Sequence, residues 1–558
     1  MDLSSSLISE EAISDSDAIS GKVTEVKGRD FTHCLSINIK KPSESPYGVS
    51  LSLTQDKGWK KGQSGVIAMY ARTLYSENRL NVGNFLMQFK PNTKDWRGYY
   101  NKDVFVSDRW NLIILPFKVS IDSDSTLLNF FFGGVKDAQV MQIAKLQILR
   151  YGDEETLHSL PKTEVYYPGV EVDAPWRTAA KERIEKYRKA NFTLQLKDSK
   201  GQLLKGVKVK AKLKKHSFGF GAAVTASGIS NPNIPEAKRN QYKDMILKYF
   251  NRVTFENAMK WRLYENMKQH VAPSLEWLQA NDIPVRGHLF VWPGYARLPN
   301  DYKVYETDPE QFRKDIIARI HKTANLYPDA FFEWDVMNEP YTEHEFMDLL
   351  GKDVVLDWFK AAREANGNYA NVINDYGILT GNDLAHQNSY FDWIQYLVDN
   401  KAELDSIGFQ GHYRTALPPE AIWDRLERFA QFGLDMQITE YDFDHPDSDL
   451  QAQFTYDFMT IAFSHPQVSS IVTWTPTVNH HRPDAAFFNK DFSIRPVGEV
   501  WRDLIQKTWH TEVEQKLQEA SLGFRGFKGT YEIEAERNGE RKSWTVVLDK
   551  DMEASIVW

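Results

Sequence analysis

The 558-residue chain holds a single cysteine, Cys34. One thiol cannot build an internal disulfide framework, and it removes every zinc site that depends on paired cysteines. A basic excess is also missing, because 68 Lys and Arg stand against 76 Asp and Glu for a formal net charge of −8. No positive field is available to draw nucleic acid. No apolar run reaches the roughly eighteen residues that a membrane-spanning helix needs, so no membrane partner is expected. Neither a G-x-G-x-x-G turn nor a GxxxxGK[ST] loop accompanies any strand-like segment, which weakens dinucleotide and nucleotide binding. The opening MDLSSSLISEEAISDSDAIS is acidic and polar, without the apolar centre of a signal peptide.

Aromatic rings are abundant: 16 Trp, 25 Tyr and 32 Phe make 13% of the chain. Most must fill large cores. Flat rings at a pocket mouth also stack on sugar faces, so the excess favours a carbohydrate partner.

A length of 558 residues exceeds what one core usually supports, which predicts several domains. Residues 1–165 carry short alternating segments such as SGVIAMYARTL, NVGNFLMQFK and WNLIILPFKVSI between turn signals such as PSESPYG and DSDS. This pattern predicts a β-sandwich of jelly-roll type. Residues 166–215 read as a linker helix, AAKERIEKYRKA, followed by a hairpin-like strand pair leading into the next domain. Over 216–510 the pattern becomes strand then helix, repeated. The strand candidates are FGFGAAV, RVTFEN, VRGHLFVW, FFEWDVMNEP, YANVINDYG, SIGFQGHY, LDMQITEYDF and SSIVTWTPT. Eight such units predict an α/β fold with a (β/α)8 TIM barrel. Residues 520–558 predict a small C-terminal β appendage with a hairpin turn at Asn538-Gly539, too short to hold a core alone.

In such a barrel the chemistry sits where the strands end. FFEWDVMNEP is an apolar strand that finishes on Asn338-Glu339-Pro340, where an ionised side chain is costly to bury unless paired or used. The seventh strand ends on Glu440-Tyr441-Asp442. Paired carboxylates suit glycoside hydrolysis, in which one acid protonates the leaving oxygen and the other carboxylate attacks the anomeric carbon. Their surroundings must push the two pKa values apart. Glu339, after an aromatic-rich strand, is the candidate acid; Glu440, near donors that include His412, is the candidate nucleophile.

WDVMNEP, ITEYDF, FENAMKW, RGHLFVW, INDYG and GFQGH, in this order and spacing, resemble the motif set of glycoside hydrolase family 10, the endo-1,4-β-xylanases, over about residues 190 to 508. The resemblance implies a retaining endo-β-1,4-xylanase acting on the xylan backbone, with Glu339 as acid/base and Glu440 as nucleophile. It places Asn338, His288, Tyr376, Gln410 and His412 around the −1 sugar and nucleophile. Glu256, Asn257 and Lys260 fall on a glycone-side hydrogen-bonding cluster, and Trp292 and Trp474 on aromatic walls. The N-terminal sandwich resembles the carbohydrate-binding modules joined to such enzymes, notably in FFFGGVKDAQVMQIAKLQILRYG. Its candidate platform rings are Trp59, Tyr70, Trp96, Tyr99 and Trp110.

No cofactor or metal is implied, since water and two carboxylates suffice. The expected partner is xylan or a xylo-oligosaccharide, the expected state a monomer, and the expected location secreted, periplasmic or cell-surface, with the signal peptide absent from this chain. Two alternatives stay open. One is a related retaining barrel hydrolase with altered β-glycan or oligosaccharide specificity; the other is a noncatalytic carbohydrate-binding protein.

The chain departs from the family pattern after Trp292, where it reads Pro293-Gly294-Tyr295-Ala296-Arg297, and after Trp474, where TPTVNHHRPDAAFF replaces a second tryptophan. Tyr295, Arg297, His481 and Arg482 are therefore candidate specificity residues, with His480 beside them. The two arginines are candidate partners for uronic carboxylates on decorated xylan.

Overall fold

The computed structural model describes residues 17–151, 157, 159–163, 167–299, 303–366, 368–480, 482–517 and 521–558. At the N-terminus, Ile19–Glu25, His33–Ile39, Gln139–Arg150, Ser64–Ser76 and Asn111–Lys118 form one antiparallel sheet in that spatial order. Ser50–Gln55, Thr126–Phe131, Gly83–Pro91 and Tyr100–Val106 form the second. Their alternation is visible in SLSLTQ, which buries Leu51 and Leu53 and exposes Ser50, Ser52 and Thr54, as a half-buried strand requires. Ile37, Ile67, Met87, Phe89 and Leu128 close the space between the sheets. Trp59 and Tyr99 belong to this core, at 3% and 8% exposure, with Trp59 packed edge-on against Phe117 at 5.0 Å. They are not surface platforms. Trp96 is 75% exposed, and Tyr70 and Trp110 lie half-buried around Phe31.

Eight parallel strands then close a barrel: Gly219–Val224, Arg252–Phe255, Val285–Gly287, Phe331–Asn338, Ala370–Asp375, Ser406–Phe409, Asp435–Phe443 and Val468–Thr473. The first pairs with the eighth and the sixth with the seventh. They are numbered one to eight below, and each coincides with a strand expected from sequence. Three of the helices between strands begin at an Asp cap: Asp308 accepts from Gln311 N, Asp383 from His386 N, and Asp447 from Asp449 N and Leu450 N. Each such cap stabilises its helix by about 1 kcal/mol. Strand three approaches strand four closely enough that a Cβ on Gly287 would meet the Trp334 ring at 2.1 Å, so only glycine fits there.

The segment before the barrel differs from the expected hairpin. Lys189–Lys197 lies between Ser521–Phe527, antiparallel, and Met552–Val557, parallel. Val207–His216 lies in another sheet, between Glu512–Leu517 and Gly529–Arg537. The two strands do not pair along their lengths, and each turns an apolar row, Phe192, Leu194, Leu196 and Val207, Val209, Ala211, into the core. The C-terminal tail supplies the partners both strands need. Within it, Gly529–Arg537 and Glu540–Leu548 form the expected hairpin, turning at Asn538 and Gly539 with φ of 53° and 85°, the left-handed pair that a tight two-residue turn demands.

The sandwich docks on the loop that follows strand five and on the helix Pro419–Ala430 that follows strand six. Arg79 forks onto Asp424 at 2.7 to 2.9 Å and reaches Glu420 at 2.9 Å, while Asn382 donates to Asp103 at 3.2 Å. The helix Pro175–Tyr187 straps the barrel's flank, where Arg177 meets the buried Asp457 at 2.6 Å and Tyr167 donates to it at 2.7 Å.

Candidate active site

Glu339 leaves strand four with φ of 56°, a left-handed conformation rare outside glycine and typical of a constrained functional position. Its N–H donates to Asn374 O at 2.9 Å, which pins the turn. The carboxylate accepts from Gln410 Nε2 at 2.7 Å and from Trp292 Nε1 at 3.1 Å. Burial, reinforced by the negative Glu440 and Asp375 and only partly offset by Gln410, pushes Glu339 up to about 7.

Glu440, on strand seven and 4% exposed, accepts from Asn374 Nδ2 at 3.0 Å and faces His412 Nε2 at 3.2 Å. Burial favours its neutral acid, but the His412 hydrogen bond and the positive His288, His412 and Lys260 outweigh burial and hold Glu440 at about 2. Because burial lowers the His288 pKa, His412 supplies more of that charge near neutrality. Burial works against a charged His412 as well, yet Asp442 and Glu440 lift it to about 9. Asp442 lies 2.9 Å from His412 Nδ1 and also accepts from Arg482 Nη1 at 2.8 Å.

Amides tie the two carboxylates together. Asn374 Nδ2 bridges Glu440 and Asn338 Oδ1, and Gln410 Nε2 reaches Glu339 and, at 3.4 Å, Asn338 Oδ1. Asn338 Nδ2 makes no well-aligned hydrogen bond, but it lies near enough to Glu339 to help favour that carboxylate's ionised form. Below this layer lies a buried charged cluster. His288 Nδ1 sits 2.7 Å from Asp335 Oδ2, and Arg286 grips Asp335 while lying 3.2 Å from Glu333. His288 meets the Trp474 ring edge-on at 5.2 Å.

On the opposite wall, Lys260 Nζ donates to Asn257 Oδ1 at 3.1 Å and lies over the Trp292 and Trp474 rings at 5.2 and 5.9 Å. Burial lowers its pKa against the pull of Glu440, Glu256 and Glu339. Glu256 faces His480 Nδ1 at 3.0 Å. Tyr376 sits one residue past strand five, its ring edge-on to His386 at 4.9 Å. Strands two to eight thus bring Glu256, Asn257, Lys260, His288, Trp292, Asn338, Glu339, Tyr376, Gln410, His412, Glu440 and Trp474 to one end of the barrel.

The specificity candidates are placed differently. Arg297 lies over Trp292 at 3.7 Å and pairs with Glu343 at 2.5 Å, and Arg482 pairs with Asp442. Neither is a free cation. The Tyr295 N–H donates to Glu345 Oε2 at 2.6 Å and its ring packs on Phe346. His481 lies outside the described residues. Sequence reasoning missed Asn374 and Asp442 as supports of Glu440 and the Arg286–Glu333–Asp335 cluster under His288. A signal existed: Glu333 and Asp335 are spaced by two on a strand, so they share a face.

Residues 209–494 match the family model for glycosyl hydrolase family 10, just over half of the chain. The chain belongs to glycosyl hydrolase family 10. Among curated relatives, the anti-sigma-I factor RsgI6 of Acetivibrio thermocellus is 28% identical over 67% of this chain and 49% of its own length. Endo-1,4-beta-xylanase 1 of Arabidopsis thaliana is 25% identical over 68% and 40%, and endo-1,4-beta-xylanase A of Caldicellulosiruptor saccharolyticus 29% over 42% and 69%. The chain thus spans about half or less of the length of the first two. Xylanase 10B of Thermotoga petrophila RKU-1, solved with xylobiose, is 23% identical with a TM-score of 0.47, covering 52% of this chain and 95% of that one. Among the described residues no group of three or more His, Cys, Asp and Glu side chains is arranged to hold a metal.

Proposed function

We propose that this family 10 protein is a retaining endo-β-1,4-xylanase that cleaves the xylan backbone by double displacement. The observation that carries this reading is the opposed poise of two neighbouring carboxylates, Glu339 raised to about 7 and Glu440 held at about 2. At neutral pH a protonated Glu339 can give its proton to the glycosidic oxygen while ionised Glu440 attacks the anomeric carbon, C–O bond formation accompanying departure of the protonated leaving group. The resulting Glu339 carboxylate then takes a proton from water, which displaces Glu440 and restores both groups. His412, held by Asp442, keeps Glu440 ionised and oriented. Asn338 Nδ2, making no well-aligned hydrogen bond of its own, suits the sugar 2-hydroxyl, whose hydrogen bonds strengthen in such transition states. Trp292 and Trp474 wall the site, and Lys260 with Asn257 offers donors on the glycone side. The names of the Arabidopsis and Caldicellulosiruptor relatives support xylan as substrate. Action on a polymer places the protein outside the cytoplasm as part of the same proposal.

Reducing-end release from xylan, compared with other β-glycans, tests substrate and activity together. Proton NMR of the first product should show the β-anomer; an initial α-anomer overturns the double displacement. A second reading is a noncatalytic carbohydrate-binding protein on the same barrel. The intact and oppositely poised carboxylates weigh against it, and absence of any cleavage would select it.

A further inference from the structure

Two cations at the junction of sandwich and barrel have no carboxylate partner. Lys102, on the edge strand Tyr100–Val106, and Arg414, two residues past His412, make no hydrogen bond or ion pair among the described residues. Both line a cavity of about 550 Å³ together with Tyr100, Leu115, Ala416 and His445, a volume within the roughly 300–1,000 Å³ of small-ligand sites. Other charges in the cavity are already engaged. Lys162 pairs with Asp447 at 2.5 Å. Asp103 accepts from Asn382, and burial pushes it up to about 6. Asp444 and Asp484, which do not line the cavity, act on Lys102 from a distance without pairing with it.

Burial, with the like charge of Arg414 beside it, drives the Lys102 ammonium down to about 8, because Asp444 and Asp484 offset only part of its lost hydration. A desolvated cation left in this state gains from any carboxylate brought to it. The cavity also has a functional address. Arg414 lies two residues past His412, which reaches Glu440, and His445 three residues past Asp442, so the cavity sits at the end of the barrel where the sixth and seventh strands finish, beside the cleft although none of the site residues lines it. Arg297 and Arg482, two cations nearer the cleft, are held by Glu343 and Asp442, and Lys260 within it donates to Asn257 over the Trp292 and Trp474 rings.

We infer that this cavity is a subsite for a carboxylate-bearing branch, a uronic acid, on the β-glycan lying in the cleft, with Lys102 and Arg414 as its ion partners and Tyr100 as its wall. The sandwich then contributes a specificity residue to the barrel's substrate site. This rests on the hydrolase reading for the presence of a β-glycan in the cleft.

The test uses full-length protein and two ligands, a neutral xylo-oligosaccharide and its uronate-branched counterpart. Calorimetry on the Glu440→Gln variant reads binding without turnover, and kcat/KM on otherwise wild-type protein reads discrimination during it. Lys102→Met should weaken the branched ligand by about tenfold, a loss appropriate to one sheltered charge-assisted contact, and leave the neutral ligand unchanged. Lys102→Arg should restore most of the preference. Arg414→Ala, at an exposed position, should lower the same ratio in a variant whose fold does not depend on that side chain. Equal affinity for both ligands, or a preference untouched by both Lys102→Met and Arg414→Ala, overturns the subsite. If wild type cleaves neither ligand while branched-ligand binding still depends on Lys102, the hydrolase reading falls and the subsite stands.

Discussion

Replacing Gln410 by methionine removes the amide that donates to Glu339 Oε1 at 2.7 Å and keeps a side chain of similar length. The hydrogen bond favours the ionised form of Glu339, so its loss must raise the pKa of that carboxyl. Hydrogen bonds to charged groups contribute about 1.5–3 kcal/mol, and one pKa unit corresponds to about 1.36 kcal/mol; the shift is therefore about one to two units. Glu339 starts from about 7. The catalytically competent form has Glu339 protonated and Glu440 ionised, so wild-type kcat/KM should fall above about pH 7, while Glu440 at about 2 places the acid limb at the edge of the accessible range. In Gln410→Met the alkaline limb should move upward, until deprotonation of His412 near 9 intervenes. The assay is a kcat/KM–pH profile on a xylobioside with a poor leaving group, for which protonation limits the rate. A lower plateau reports lost positioning of the sugar; only the position of the limb reports the pKa. An alkaline limb that stays put or moves downward refutes the assignment of Glu339 as the acid.

Glu440→Ala should abolish hydrolysis of every substrate, whereas Glu339→Ala should spare the first step on glycosides with very good leaving groups, seen as a burst of released aglycone; equal loss of both steps contradicts the Glu339 role. Deleting residues 1–165 should leave turnover of short neutral oligosaccharides nearly intact and weaken action on insoluble polymer, because a tethered binding module raises local concentration without altering the cleft. An unchanged rate on insoluble polymer would show that the sandwich does not tether. Arg177→Met strands the fully buried Asp457 with only Tyr167 and Gln453 as donors, and breaking a buried pair in this way costs about 3–5 kcal/mol; a thermal melt within a degree of wild type would refute that estimate.

The barrel was legible because its evidence is local and repeated: each strand is a short, largely apolar run, and several helices announce their start with Asp or Pro. The placement of Glu339 and Glu440 was legible for a related reason. An apolar strand such as FFEWDVMN places its last residues at one end of the barrel, so Asn338 and Glu339 carry their address in the sequence. The pairing of Lys189–Lys197 and Val207–His216 was not legible, because their partners lie some 300 residues later and alternation specifies which face is buried without specifying which strand lies alongside. The same limit affects Trp59 and Tyr99, whose burial depends on a second sheet.

The arginines after the third and eighth strands show where reasoning from residue type stops. A guanidinium in a carboxylate-rimmed cleft can serve an incoming anion only if no protein anion takes it first, and that competition is decided by side chains distant in sequence: Glu343 for Arg297 and Asp442 for Arg482. The Asp442 contact changes the role of Arg482. Its charge acts on the carboxylate that holds His412, and through His412 on Glu440, so it supports the nucleophile from two contacts away instead of reading substrate. Lys102 illustrates the converse. It lies in a different module and in no recognised motif, yet docking of that module brings it beside Arg414 at the barrel's working end. Whether a charge recognises substrate is thus a property of what else is paired, and that is fixed only when the domains are assembled.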